Sequence, residues 1–157
     1  MSHQLSALCS PLTAHSSQLT SHLSHSYLII YARLSQACYL AKSHQLTLDI
    51  YKLTQQFPKE ELFGLTSQIR RAISSVPTNI AEGCGRETNK DFAHFLQISI
   101  GSACEIEYQL LLAHDLNYIT DEDYNRLNDE IVSVRKMIHK YQSGLKTHSS
   151  KLITQSI

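Results

Sequence analysis

The sequence contains no tryptophan, and only five glycines and three prolines among 157 residues. So few turn formers argue against a fold of many short strands and in favour of helices. Cysteine is present but unpatterned. Cys9, Cys38, Cys84 and Cys104 make no C-x-x-C pair, so neither a zinc ribbon nor a disulfide framework is expected. Acidic residues are missing from the start of the chain: all 14 lie between Asp49 and Glu130, and residues 1–48 carry only Arg33 and Lys42 besides histidines. No apolar run reaches the roughly 20 residues needed to span a bilayer. Leu28-Ile-Ile-Tyr-Ala32 is too short for a signal-peptide core, and its basic flank is on the wrong side. A soluble, cytoplasmic protein without a membrane partner is expected. With 14 basic and 14 acidic residues, no global charge draws it to nucleic acid.

Residues 1–38 are rich in Ser, His, Leu and Thr and repeat themselves, as in Ser2-His-Gln-Leu5 and Ser43-His-Gln-Leu46. The bias is compositional. His3, His15, His22 and His25 have no metal-ligand spacing. A disordered, dispensable leader is expected, followed by a bundle over 39–146 and a frayed tail over 147–157.

What the chain does have is helical periodicity. Tyr39, Ser43, Leu46, Ile50, Leu53 and Phe57 step by four and three, and Pro58 ends that segment. A second seam runs Leu62, Leu65, Ile69, Ile73, Val76, Ile80, with Pro77 inside it. Proline there removes one hydrogen bond and kinks the axis, which leaves the Ile73 carbonyl in need of another partner. Ser74, Ser75, Thr78 and Asn79 surround the kink and suit close helix approach, and Gly83 and Gly85 are expected to stop the helix in the left-handed conformation. Thr88 caps a third helix, with Asp91 in the capping-box position and the seam Phe92, Leu96, Ser99, Ala103, Ile106, Leu110, Ala113. A thinner stripe, Ala93, Ile100, Cys104 and Leu111, predicts a second buried face against another subunit. Thr120 and Asp121-Glu-Asp123 open a fourth helix with the seam Tyr124, Leu127, Ile131, Val134, Ile138, Tyr141, Leu145, and Gly144 reads as its stop. The fold class is an all-α, antiparallel up-down four-helix bundle with a disordered N-terminal extension.

Chemistry is harder to find. Asp91-x-x-His94 is half of a di-iron helix motif, but capping accounts for Asp91. Glu105 and Glu107 point to different faces, and Gly83-Cys-Gly85 lacks the strand and Lys-Ser/Thr of a phosphate loop. Neither a catalytic constellation, a cofactor nor a metal site emerges, and no enzyme is expected. The informative cations are Arg70, Arg71, Arg86 and Lys90. As a phosphate-contacting patch, Arg86, Lys90 and Arg71 are the candidates. As structural ion pairs, Arg70 or Arg71 would meet Glu105 or Glu107, and Arg86 would meet Glu82 or Glu87.

Phe57-Pro-Lys-Glu-Glu-Leu-Phe-Gly-Leu-Thr-Ser-Gln-Ile-Arg-Arg-Ala72, Pro77-Thr-Asn-Ile-Ala-Glu-Gly83 with Arg86, Phe95-Leu96, and Gly101-Ser-Ala-Cys-Glu-Ile-Glu107 resemble the bacterial four-helix bundle proteins encoded within intervening sequences of 23S ribosomal RNA genes. That family also includes accessory proteins of diversity-generating retroelements. The resemblance spans roughly residues 42–143. Leu34-Ser-Gln-Ala-Cys-Tyr-Leu-Ala41 lacks the Phe and Trp usual at the start of the family's first helix. The resemblance implies a homopentamer, RNA association and, for the retroelement relatives, a reverse transcriptase partner. The alternative is an adaptor oligomer that binds proteins and no nucleic acid.

Overall fold

Four amphipathic stretches joined by short turns have one economical arrangement, an antiparallel ring in which each helix buries its apolar face against its neighbours. The computed structural model describes Arg33 and residues 38–154, with side chains through Leu145. Its helices are α1 (Cys38–Leu53), α2 (Leu65–Cys84), α3 (Asn89–Asp115) and α4 (Asp121–Thr154). Two 3₁₀ turns, Thr54–Gln56 and Lys59–Leu62, connect α1 to α2. Consecutive helices pack side by side, and α1 closes the ring against α4. The all-α up-down bundle expected from the periodicity is the fold observed.

The seams are buried as their spacing requires. Ile69, Ile73, Val76 and Ile80 of α2 meet Leu96, Ala103, Ile106 and Leu110 of α3 in one core with Leu127, Ile131 and Ile138 of α4. Each fully buried Leu or Ile contributes about 1.5–3 kcal/mol relative to exposure. Thr88 Oγ1 accepts the Asp91 N–H at 3.0 Å and Thr120 Oγ1 accepts that of Asp123 at 3.2 Å, so both caps form. The start of α2, blurred in the sequence by Gly64, is set by Glu61, whose Oε2 accepts the Leu65 N–H at 2.9 Å.

Helix α2 runs through Pro77. The Ile73 carbonyl, deprived of its helical donor, lies 3.4 Å from the Thr47 hydroxyl of α1, which also donates to Ser43 at 2.7 Å. Around the proline the small polar residues bond to carbonyls and to one another. Ser99 of α3 donates to the Val76 carbonyl at 3.0 Å, Asn79 Nδ2 donates to the Ser75 carbonyl at 2.8 Å, and Ser102 donates to Ser75 Oγ at 3.0 Å.

Several expectations are corrected. No described glycine has a positive φ, so Gly83 and Gly85 do not stop α2 by left-handed geometry. Gly83 lies inside the helix, where a Cβ would stand 2.8 Å from both Phe92 Cδ2 and Phe95 Cβ. Its smallness lets α3 cross. Gly144 does not end α4, which continues to Thr154, so the frayed tail expected from 147 is helical in its backbone up to that residue. Leu62 is 50 % exposed rather than a seam member. Ile100 and Ala93 are buried within this chain, because α3 is flanked by both α2 and α4 and needs two apolar faces of its own. Most of the expected leader lies outside the described residues, but Arg33 is 6 % exposed and packs on the bundle. Cys38 belongs to α1.

Candidate nucleic-acid interface

The α2–α3 turn carries two of the expected phosphate-binding cations. Arg86 follows the end of α2, and Lys90 stands in the first turn of α3, where the helix dipole adds partial positive charge. Arg86 is not unengaged. Its guanidinium bonds Glu82 one turn back and lies 4.4 Å from the centroid of the Phe95 ring. Lys90 is exposed, forms no ion pair with a described residue, and lines a surface cleft of about 420 Å³ with His94, Gln97 and Gln142. Gln142 fixes that cleft by donating to the Ala93 carbonyl at 2.9 Å and to Gln97 at 3.1 Å.

Arg33 holds this turn in place. It donates to the Arg86 carbonyl and, at 2.8 Å, to Asn89 Oδ1, and it lies 4.7 Å from the Phe92 ring centroid. None of these partners is a carboxylate. The negative end of the α2 dipole, the ring face and two carbonyl oxygens together accommodate the buried charge. Nearby, burial pushes the Cys84 thiol up to about 11 and raises the Tyr39 phenol. Cys84 therefore stays a neutral thiol at physiological pH and acts as packing rather than as a nucleophile.

The structure pairs the remaining cations differently from expectation. Glu107 is taken by Arg135 of α4 in a two-pronged contact, with Arg135 Nη2 3.2 Å from Oε2. Arg70 meets neither Glu105 nor Glu107. Its Nε donates to Thr54 Oγ1 at 2.8 Å, and its guanidinium lies 5.2 Å from the Tyr51 ring centroid. Glu105 instead accepts from Gln109 Nε2 at 3.0 Å. Arg71 is exposed and in no ion pair with a described residue. Among the described residues, Arg86 is thus the one of the four cations singled out by the sequence that has a carboxylate partner, and Arg70, Arg71 and Lys90 find none there.

The solvent side of α3 presents Ile98 (40 % exposed), Cys104, Tyr108 (64 %) and Leu111 (41 %). Gly101 lies among them, and no side chain or neighbouring element among the described residues stands within 4 Å of the place a Cβ would occupy. No described group of three or more His, Cys, Asp or Glu side chains could hold a metal ion. Asp91 is engaged by the Thr88 hydroxyl at 2.6 Å, and His94 lies against Phe95. No helix among the described residues is long and apolar enough to cross a membrane.

Sequence reasoning missed Arg33, the Glu61 cap and the Glu107–Arg135 pair. Only the cap left a local signal, a Glu four residues ahead of the first seam residue of α2. Comparison with known proteins agrees with the fold. A crystal structure from Bacteroides thetaiotaomicron VPI-5482, described as a protein of unknown function from the S23 ribosomal protein family, is 28 % identical. It covers 67 % of this chain and 95 % of its own, with a TM-score of 0.63. No curated protein matches the chain. The family model described as 23S rRNA-intervening sequence protein matches residues 37–140, and the chain belongs to that family.

Proposed function

We propose that the chain is a non-catalytic, self-associating helical module of the cytoplasm that contacts RNA through backbone phosphates. The observation that carries this reading is the outer face of α3. An exposed glycine in mid-helix costs about 0.5–1 kcal/mol relative to alanine, and no contact within the chain requires Gly101 to be small. Ile98, Cys104, Tyr108 and Leu111 surround it with exposed apolar surface. A second copy packing backbone-close at Gly101 accounts for both features, and five copies is the number implied by the family resemblance. Ile100, buried within the chain, drops out of that interface, whereas Cys104 and Leu111 remain. For RNA, Arg71 and Lys90 are exposed with no competing carboxylate among the described residues, while Glu82 partly neutralises Arg86. Symmetry would repeat each cation around the assembly and compensate for a net charge of zero.

Light scattering on the full chain tests the assembly. Leu111→Glu combined with Tyr108→Glu should yield monomers that keep their helical signal, and a wild type that is monomeric at micromolar concentration rejects it. RNA binding over a salt series tests the rest. Each phosphate contact removed should lower the log–log slope by roughly 0.7 for single strands. Arg71→Ala/Lys90→Ala should therefore lower the slope more than Arg86→Ala. If the oligomer forms but binds RNA no better than a neutral control, the exposed α3 face supports the second reading, an adaptor oligomer whose partner is a protein such as a reverse transcriptase.

A further inference from the structure

The corner where α1 passes into α2 holds a cavity that the RNA reading does not use. It measures about 150 Å³ and is lined by Thr54, Gln55, Lys59, Thr66 and Arg70 together with apolar side chains, none of them acidic. At about 30 Å³ per water it has room for several waters or for one oxyanion with water. Thr66 is 3 % exposed, and its Oγ1 is buried with no hydrogen-bond partner among the described residues. A buried hydroxyl left unpaired forfeits the hydrogen bonds it made to water and so weakens the fold. Within the chain this cost is avoidable, because valine has the same shape without the oxygen.

The charged side chains that line the cavity, Lys59 and Arg70, are both basic. Arg70 points its Nε at Thr54 Oγ1, which in turn donates to the Tyr51 carbonyl at 3.2 Å. That bond and the Tyr51 ring orient the guanidinium, and among the described residues its Nη groups have no carboxylate partner. Lys59 is exposed at the rim and likewise in no ion pair with a described residue. The nearby Glu61 carboxylate is occupied elsewhere, accepting from the Leu65 N–H at 2.9 Å and from the Tyr118 hydroxyl at 3.5 Å. An oriented guanidinium, an ammonium and an unpaired buried hydroxyl around an acid-free hollow match the tetrahedral oxygens of a phosphate group. We infer that this corner is a phosphate-binding socket, with Arg70 and Lys59 supplying charge and Thr66 donating to one oxygen. The ligand phosphate could be free inorganic phosphate or a phosphate carried by a nucleotide strand. Phe63, next to the lining residue Leu62 and 92 % exposed, would offer a base a stacking surface only in the second case.

The experiment titrates inorganic phosphate into the full-length protein at constant ionic strength, with chloride as the control anion, and reads heat and melting temperature. Wild type should bind and be stabilised at millimolar phosphate. Thr66→Val should bind about three- to tenfold more weakly while melting no lower than wild type without phosphate. Arg70→Gln should weaken binding about tenfold or more. Absence of phosphate binding by wild type, or unchanged affinity in Thr66→Val, overturns the socket. A second arm compares a short single-stranded RNA with and without a 5′-phosphate. If the phosphorylated strand outcompetes inorganic phosphate and loses that gain in Phe63→Ala, the socket serves a nucleotide strand; equal affinities assign it to free phosphate. The socket does not depend on Arg71 and Lys90. RNA binding that persists in Thr66→Val and Arg70→Gln, with no phosphate effect, removes the socket and leaves the RNA reading standing.

Discussion

Two glycines of similar appearance in the sequence have opposite roles. Gly83 faces Phe92 and Phe95 across the α2–α3 contact, with 2.8 Å between the place a Cβ would occupy and both the Phe92 ring and the Phe95 Cβ. Gly83→Ala must push α3 outward or turn Phe92, and overpacking of this kind costs about 1–3 kcal/mol in urea denaturation. Gly101 meets nothing within 4 Å, so Gly101→Ala should stabilise the isolated chain by about 0.5–1 kcal/mol. In the assembled protein the same methyl should weaken association. Comparing denaturation midpoints at low and high concentration separates the two effects. A Gly101→Ala variant that gains stability equally at every concentration speaks against packing between copies at that residue. The sequence cast Gly83 as a helix stop, because the residues that stand opposite it belong to another helix and leave no local signal.

At the scale of the helix, seams and caps were legible because they depend on spacing along one strand of chain. Tyr39, Leu46 and Ile50, or Thr88 with Asp91, reveal themselves within a few turns. Cross-helix partners do not, since they depend on how each helix is rotated. Thr47 meeting Ile73, Ser99 meeting Val76 and Arg135 meeting Glu107 are invisible until four axes are set. The same reason explains Ile100, whose stripe belongs to a second neighbour within the chain. The α3–α4 turn offers a pH test. His114 Nε2 lies 2.7 Å from Asp121 Oδ1, and its ring stacks on Tyr124 with 4.8 Å between centroids. That hydrogen bond, helped by the charges of Asp121 and Asp115, raises the imidazole above its ordinary 6.5. The folded form therefore holds the proton more tightly than the unfolded form. The contribution is complete below about 6.5 and fades as pH rises through the raised value. The melting-temperature difference between wild type and His114→Gln should be largest in mild acid and shrink on the alkaline side of neutrality. A difference that is flat with pH means that stacking, not charge, is what His114 supplies.

For the whole molecule, the boundary drawn by family likeness and the boundary drawn by packing disagree. The family match starts at residue 37, yet Arg33 is buried against Arg86, Asn89 and Phe92. The leader expected from composition therefore meets the bundle at this residue. A lone arginine amid Ser and His shows no periodicity, and nothing local reveals that its site lies beyond α2. Arg33→Ala strands the Arg86 carbonyl and opens space beside Phe92, which should cost about 1–3 kcal/mol. Chemical denaturation checks this, and an unchanged midpoint would return the segment to the status of a passive leader. The four-helix architecture itself was readable in full, because it needs only four amphipathic segments and short connections.

The Arg33 clasp also orders events during synthesis. Arg33 is made 53 residues before Arg86, an interval of roughly 3–10 s at 5–20 residues per second. Throughout that time the guanidinium has no site to enter and keeps its water. Docking must wait for the first turn of α3, when α1 and α2 already exist as chain. The earliest described residue to leave the ribosome is thus shelved until the middle of the molecule arrives.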